Sequence, residues 1–178
     1  MAMWVFGYGS LMWNPGFGVA EKAVATLGGH ARTFCMRSIH HRGSSAAPGL
    51  VLALDPHPDA CCIGLAFRVV DGIEDQTLAD LRERELISSA YVEREVTLDL
   101  VDGRQVTALA YVVDTEHVQY CGGLPLEEQA HIIAHAVGDR GPNTEYLYNT
   151  VAHLGDVGIP DADLGWLDGR VREILTKG

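Results

Sequence analysis

Hydrophobic and polar residues alternate most regularly on either side of Asp102-Gly103. Side chains at every second position share one face of a β-strand, and Asp-Gly between two such runs is a strong hairpin signal. The pattern therefore predicts a β-hairpin with one buried face. Its apolar positions are Val96, Leu98 and Leu100 before the turn and Val106, Ala108, Ala110 and Val112 after it.

Shorter apolar runs in the first part of the chain predict further strands. Gly28-Gly29 separates two of these runs and predicts a second hairpin. Pro56 and Pro58 separate two others, which are predicted to be distinct strands because proline cannot donate to a sheet ladder. The predicted strands lie at residues 3–6, 22–27, 31–39, 50–54 and 63–70.

Helical spacing dominates the last third of the chain. Pro125 is suited to a first helical position, and Asn143 is a plausible N-cap. Short strands followed by helices indicate an α+β fold with a mostly antiparallel, barrel-like sheet. At 178 residues, the whole chain (1–178) is expected to form one domain. Helices are predicted at 73–86 and 125–138, from 143 (inward Leu147, Thr150, Val151 and Leu154) and from 161 (inward Leu164, Leu167, Val171, Ile174 and Leu175).

Composition narrows the range of partners. A net charge of -11 argues against nucleic-acid binding, since phosphates require a basic surface. The sequence contains no run of the ~20 apolar residues needed to cross a bilayer and no signal-peptide pattern, so no membrane association is expected. The four cysteines form no CxxC pair and are expected to be reduced thiols in the cytoplasm. The oligomeric state does not follow from the sequence.

An apolar run leads directly into a glycine-containing loop near the N-terminus. Residues 3–6 are followed at once by Gly7-Tyr8-Gly9-Ser10. Bare backbone N–H groups in such a loop can hold a carboxylate or an oxyanion, and the sequence leaves open which. The loop is not a dinucleotide motif, because Leu11 or Met12 stands where GxGxxG needs its third glycine. Ser10 lacks the glycines of a nucleophile elbow and is better suited to donating a hydrogen bond.

Glu85 is the best candidate for chemistry. It lies four residues after Leu81 and seven after Leu78, on the predicted buried stripe of its helix, whereas Arg82, Glu83 and Arg84 are expected to point elsewhere. Partial burial would raise the pKa of this carboxyl and make it a better base near neutral pH. From the pattern alone, a structural ion pair with a core-facing arginine or a frayed helix end ranks first.

The histidines do not indicate a metal site. His131 and His135 have the spacing of a zinc pair, but no glutamate follows His131, and both lie opposite the apolar stripe of their helix. A solvated face is the better interpretation. The basic segment 37–43, with His40, His41 and Arg42, is equally compatible with an anion site and with an ordinary surface loop.

Together, these segments resemble the ChaC family, the glutathione-degrading branch of the γ-glutamylcyclotransferases, over nearly the whole chain. The resemblance implies a small mixed barrel with packed helices, and a reaction that splits glutathione into 5-oxoproline and cysteinylglycine without a metal or organic cofactor. The segments that carry it are residues 6–15, 36–43, 48–54, Arg84-Glu85 with Tyr91 following, and 141–147.

The resemblance also implies residue roles. The catalytic glutamate of the family falls on Glu85, so helical phase and resemblance select the same residue. The family's substrate loop falls on Tyr8, Gly9, Ser10 and Leu11, and its pocket tyrosine on Tyr146. Arg37 or Arg42 is a guess, from charge alone, for pairing with the glycine carboxylate of glutathione.

Three other functions stay open at this point. The first is a cyclotransferase for other γ-glutamyl amino acids or amines, which would use the same loop and glutamate. The second is a non-catalytic module that binds a γ-glutamyl ligand, against which the presence of Glu85 counts. The third, a metal hydrolase, is the least favoured because the histidines are scattered.

Overall fold

The computed structural model describes residues 2–86 and 89–177, which form strands in the first two-thirds of the chain and mainly helices in the last third. A single 3₁₀ turn, Ser10–Met12, follows the first strand. The strands are β1 (Trp4–Gly7), β2 (Val19–Ser38), β3 (Gly49–Val69), β4 (Tyr91–Leu100), β5 (Gln105–Val113), β6 (Val137–Gly138) and β7 (Gly141–Pro142). The helices are α1 (Glu74–Leu86), α2 (Leu126–His135), α3 (Asn143–Val157) and α4 (Ala162–Lys177).

Strands β1 to β5 close into a barrel in the order β1-β3-β2-β4-β5. β1 pairs antiparallel with β3 and parallel with β5, so the sheet is mixed. β4 pairs antiparallel with both β2 and β5. The predicted α+β class and its mostly antiparallel barrel are confirmed.

The hairpin predicted around Asp102-Gly103 is confirmed. β4 and β5 pair from Tyr91 with Val113 to Asp99 with Gln105, so that Leu98 lies opposite Val106. The alternating apolar residues of both strands face one buried cluster. This cluster consists of Trp4, Phe6, Ala25, Leu27, Leu54, Cys62, Ala66, Leu98, Leu100, Ala108, Ala110 and Val112.

Two turn predictions in the first part of the chain are wrong. β2 continues through Gly28-Gly29 as one strand, and Gly29 takes a positive φ of 74°, which is typical of a local bulge in a strand. β3 likewise continues through Pro56 and Pro58. Both prolines lie on an exposed stretch of the strand, where a missing backbone donor is tolerated.

The chain divides into two compact units. The first comprises Met1–Arg32 and Leu54–His117, and the second comprises Thr33–Ala53 and Val118–Gly178. β2 and β3 contribute residues to both. Besides the cluster above, the first unit has a second buried cluster formed by Val5, Leu11, Val69, Leu81 and Tyr111.

In the second unit, α2 packs against α3 and α4, and α3 packs against α4. α4 begins at the predicted place, where the Asp161 carboxylate accepts a hydrogen bond from the Leu164 N–H at 3.1 Å. The predicted N-cap role of Asn143 is wrong. Its side chain instead accepts from the Leu50 N–H at 2.8 Å and donates to the Leu50 carbonyl at 2.9 Å, so it ties α3 to β3.

The inward faces of these helices agree with the predictions except at their margins. Leu147, Thr150 and Leu154 of α3 are buried, whereas Val151 is half-buried. In α4, Leu175 is exposed. α2 ends at His135 rather than 138, because Val137–Gly138 pairs with Gly141–Pro142. None of the helices in the described parts of the chain is long and apolar enough to cross a bilayer.

Candidate active site

Glu85 lies near the C-terminal end of α1, on its buried face. The buried stripe is formed by Thr77 and Leu81, each four residues from the next, and Glu85 continues it. Leu78, predicted to define the stripe together with Leu81, is only half-buried. The predicted inward phase of Glu85 is nevertheless correct, and its side chain is 18% exposed.

Burial raises the pKa of the Glu85 carboxyl, and the neighbouring Arg84 guanidinium lowers it by a smaller amount. The ion pair is loose, with 3.5 Å between Arg84 Nε and Glu85 Oε1. The partner is thus an exposed arginine of the same helix and not the core-facing arginine weighed from the sequence, and the pair does not compensate for desolvation. A carboxyl with a raised pKa is a stronger base than an ordinary glutamate and so is better suited to general base catalysis.

The Tyr8–Leu11 loop leaves β1 at Gly7 and enters the 3₁₀ turn. Leu11 is buried in the same cluster as Leu81 of α1, so the turn is packed on the helix that carries Glu85. The Met12 N–H donates to the Gly9 carbonyl at 2.9 Å and closes the turn. The first N–H groups of such a turn have no partner within it, which leaves those of Ser10 and Leu11 suited to an anionic group.

The two glycines of the loop have different surroundings. A Cβ on Gly7 would lie 3.1 Å from the Phe67 ring and 3.2 Å from Leu11 Cβ, so close packing accounts for this glycine. A Cβ on Gly9 would meet nothing within 4 Å. The loop is therefore packed at Gly7 and open at Gly9.

Arg84 is exposed and lies off the buried stripe, as predicted, and it joins Glu85 to the loop. Its Nη2 donates to Ser10 Oγ at 3.1 Å and its Nη1 to the Asn14 carbonyl at 2.7 Å. The sequence pattern missed this contact because helical phase accounts for the inward stripe but not for loops that reach the edge of a helix.

Arg32 is a second residue that the sequence analysis missed. It is only 7% exposed. Its Nε donates to the Tyr8 carbonyl at 2.7 Å and its Nη2 to the Ile63 carbonyl at 2.6 Å, so it anchors the start of the loop to β3. Tyr8 itself packs against the barrel cluster. No local sequence pattern around Arg32 indicates these long-range contacts.

Tyr146 lies on α3, in the second unit, and is half-buried. Its hydroxyl oxygen accepts a hydrogen bond from the Leu52 N–H at 3.1 Å, and its ring packs edge-on against Phe34. Burial raises the pKa of Tyr146 to about 12, so the hydroxyl stays protonated near neutral pH and can still donate.

The two candidate arginines of the second unit differ in how they are engaged. Arg42 donates to the Pro142 carbonyl at 3.0 Å and lies 3.5 Å from Glu145 Oε1, so it holds the start of α3. Arg37 at the end of β2 is half-buried. Within residues 2–86 and 89–177, its guanidinium makes no hydrogen bond or ion pair, although its backbone pairs with Gln119. Arg37 is therefore the better placed for an external anion.

The predicted solvated face of α2 is confirmed. His131 and His135 are exposed, and His131 lies 3.2 Å from Glu127. Glu127 is itself held by both Nε and Nη2 of Arg170 on α4. Across the described part of the chain, no three His, Cys, Asp or Glu residues group as metal ligands would.

Residues 3–174 match the family model described as ChaC-like protein. The chain belongs to the ChaC family. It is 36% identical to the glutathione-specific γ-glutamylcyclotransferase of Escherichia coli, over 98% of this chain and 75% of the relative. It is also 32% identical to γ-glutamylcyclotransferase 2-3 of Arabidopsis thaliana, over 99% of this chain and 92% of the relative.

The fold of this ChaC chain is also that of a solved structure. It superimposes on a crystal structure of a yeast γ-glutamyl cyclotransferase specific to glutathione with a TM-score of 0.82, covering 98% of this chain and 99% of the other. At 24% identity, this likeness establishes the shared fold. The mixed barrel with packed helices implied by the sequence resemblance is thus confirmed.

Proposed function

We propose that this ChaC chain is a glutathione-specific γ-glutamylcyclotransferase that releases 5-oxoproline and cysteinylglycine, with Glu85 as its general acid and base. The observation that carries the proposal is the half-buried Glu85, whose pKa is raised and which Arg84 links to an open glycine loop. Family membership and the activities named for the relatives support the choice of reaction.

The first step is removal of a proton from the α-amine of the γ-glutamyl residue. An α-amine has a pKa of about 8, whereas an ordinary glutamate titrates near ~4.3, so the transfer is uphill by about 5 kcal/mol in water. Burial of Glu85 reduces this gap. Glu85 accepts the proton, and the amine becomes a nucleophile.

Ring closure follows within the same residue. The amine nitrogen attacks the γ-carbonyl carbon and forms a five-membered ring with a tetrahedral, negatively charged oxygen. The C–N bond to cysteine then breaks as protonated Glu85 returns its proton to the departing amine of cysteinylglycine. The ring nitrogen gives up its second proton to the regenerated Glu85 carboxylate or to water, which leaves neutral 5-oxoproline. Holding the chain curled matters greatly, because well-oriented intramolecular reactions reach effective molarities of ~10⁵ M or more.

The loop formed by Tyr8, Gly9, Ser10 and Leu11 is assigned to substrate binding. Its backbone N–H groups would bind the α-carboxylate of the substrate or the developing oxyanion. The open space beside Gly9 supports access of the substrate backbone to the loop.

Tyr146 and Arg37 are assigned to substrate binding from resemblance and charge. The protonated Tyr146 hydroxyl can donate a hydrogen bond to a substrate oxygen. The guanidinium of the half-buried Arg37 suits the glycine carboxylate of glutathione, an anion that simple γ-glutamyl amines lack. Replacing Arg37 with Met is therefore expected to raise the KM for glutathione more than the KM for a γ-glutamyl amine.

We further propose that the chain acts as one functional domain, in the cytoplasm, on a small molecule. The chemistry consists of proton transfers and an intramolecular attack, so the proposal includes no metal or organic cofactor. The spacing of the four cysteines, which includes no CxxC pair, suits a reducing compartment.

A cyclotransferase for other γ-glutamyl amino acids or amines would use the same base and loop, and a non-catalytic γ-glutamyl-binding module would use the loop alone. Mass spectrometry of products from reduced glutathione, γ-glutamyl-alanine and γ-glutamyl-ε-lysine separates the three functions. The proposal predicts 5-oxoproline and cysteinylglycine from glutathione only. Turnover of the other substrates with glutathione left intact would assign the chain to a different specificity, and no product from any of them would favour the binding module.

A further inference from the structure

The Arg84 guanidinium uses all three of its nitrogens at the site. Nε lies 3.5 Å from Glu85 Oε1, Nη2 lies 3.1 Å from Ser10 Oγ, and Nη1 lies 2.7 Å from the Asn14 carbonyl. The side chain is 32% exposed. An arginine whose nitrogens contact a helix carboxylate and two points of a loop fixes their relative position, because the guanidinium plane is rigid.

Gly16 of the loop lies beside the Arg84 side chain. Gly16 has a positive φ of 77°, a conformation that side chains rarely adopt, and a Cβ there would lie 3.5 Å from Arg84 Nη1. The turn before it is closed by the Asn14 N–H, which donates to the Ser10 carbonyl at 2.8 Å. Arg84 therefore binds both ends of a closed turn, the side chain of Ser10 and the carbonyl of Asn14.

We propose that Arg84 is a positioning residue that locks the Ser10–Asn14 turn to α1 and so sets the distance between the Glu85 carboxylate and the substrate loop. The proposal deepens the function proposed above and rests on it. Arg84 acts through Glu85 and Ser10 rather than on the reacting atoms. Misplacement of reacting groups by about 1 Å can reduce turnover 10²-fold, so such a lock has a measurable effect on catalysis.

Few charged or titratable groups face Glu85 from the described residues of the first unit. Arg84 comes from its own helix, and Tyr111 comes from β5. Glu93 of β4 accepts a hydrogen bond from the Tyr111 hydroxyl and is paired with Arg82. Arg84 is the cation that lowers the pKa of Glu85, so its removal should move the acidic limb of the rate profile to higher pH.

The test compares Arg84→Gln, Arg84→Lys and a control, Arg172→Gln, which removes an exposed helical arginine paired with Asp168. Glutathione turnover is measured from pH 5 to 9, and hydrogen exchange is measured over residues 9–16. We expect Arg84→Gln to lower kcat at least ~10-fold, to move the acidic limb upward and to speed exchange in the turn. Arg84→Lys keeps the positive charge but loses the branched guanidinium. It should therefore lower kcat while the acidic limb of the pH–rate profile moves little. Arg172→Gln should match the wild type.

The outcomes separate this proposal from the proposed function. The positioning role is overturned if Arg84→Gln keeps the wild-type kcat and the wild-type acidic limb of the pH–rate profile. It is also overturned if hydrogen exchange in the turn is unchanged in Arg84→Gln. If wild-type protein yields no product from glutathione or other γ-glutamyl compounds, the proposed function fails. The exchange data still decide whether Arg84 holds the turn in that case. A lower melting temperature with an unmoved limb and unchanged kcat per folded molecule would mean that Arg84 only stabilises the fold.

Discussion

The hydroxyl of Tyr111 donates a hydrogen bond to Glu93 Oε1 over 3.0 Å. Burial is the largest cause of the raised pKa of Tyr111, the bond to Glu93 raises it further, and the charge of Glu85 makes a smaller contribution in the same direction. Two glutamates thus flank one tyrosine. Hydrogen bonds from the Arg82 guanidinium lower the pKa of Glu93 below the usual range of a glutamate. Burial raises the pKa of Glu85 above that range. The structure therefore distinguishes a carboxylate whose charged form is favoured from one whose protonated form is favoured.

The pH dependence of catalysis should reflect this difference. Glu85 has to be deprotonated to act as a base, so kcat/KM should rise with pH through the pKa of Glu85 in the free enzyme. Because burial raises that pKa, the acidic limb should lie above the ~4.3 of an ordinary glutamate. Steady-state kinetics with glutathione at constant ionic strength measure it, and a limb at or below ~4.3 would disagree with the burial of Glu85.

The thermal stability of Glu85→Gln should depend on pH relative to that of the wild type. The folded-state pKa of Glu85 is raised, so its contribution to stability is fully present below the unfolded pKa and is lost as the pH rises through the folded pKa. A glutamine at position 85 is neutral at every pH, so the variant does not lose stability in this way as the pH rises. We expect equal melting temperatures near pH 4 and a higher one for Glu85→Gln near pH 8. A difference that stays constant between these pH values would show that burial does not set the pKa.

The two loop glycines should respond differently to alanine. Gly9→Ala places a methyl group in the open space assigned to the substrate, so it should lower kcat/KM for glutathione more than it lowers the melting temperature. Gly7→Ala crowds the Phe67 ring and should destabilise the fold by about 1–3 kcal/mol. Gly28→Ala, also in open space but within β2, is the matched control. Equal kinetics for Gly9→Ala and Gly28→Ala would refute substrate access at Gly9.

His131→Ala should leave glutathione turnover within about twofold of the wild type. The imidazole lies on the exposed face of α2, and its partner Glu127 keeps its pairing with Arg170. Exposed ion pairs of this kind contribute little to stability because water and salt screen them. A kinetic assay of the purified variant is sufficient, and a large loss of kcat would require a role for α2 that its geometry does not indicate.

Local periodicity was sufficient for much of this fold. The β4–β5 hairpin and the inward phase of Glu85 follow from spacing of two and of 3.6 residues, because burial of one face dictates both. The failures have a common physical origin. Gly28-Gly29 and Pro56 resemble turns in the sequence, yet pairing within a closed barrel keeps both in strands.

The same limit applies to the candidate site. Glu85 and the glycine loop are visible in the sequence, since each has a local pattern and a matching motif in the ChaC family. Arg84 and Arg32 could not be identified from the sequence, because their partners come close only on folding. Arg84 binds the hydroxyl of Ser10, and Arg32 binds the carbonyl of Tyr8. Arginines that act through long-range contacts to the backbone carry no local signature.

The most direct test of the account is single-turnover conversion of reduced glutathione by Glu85→Gln, with Glu83→Gln as the control. Glu83 is the exposed glutamate two positions away on the same helix. We predict a loss of at least ~10²-fold in 5-oxoproline formation for Glu85→Gln, a native fold by circular dichroism, and wild-type rates for Glu83→Gln. A folded Glu85→Gln protein that forms 5-oxoproline at a rate near that of the wild type would contradict the central claim.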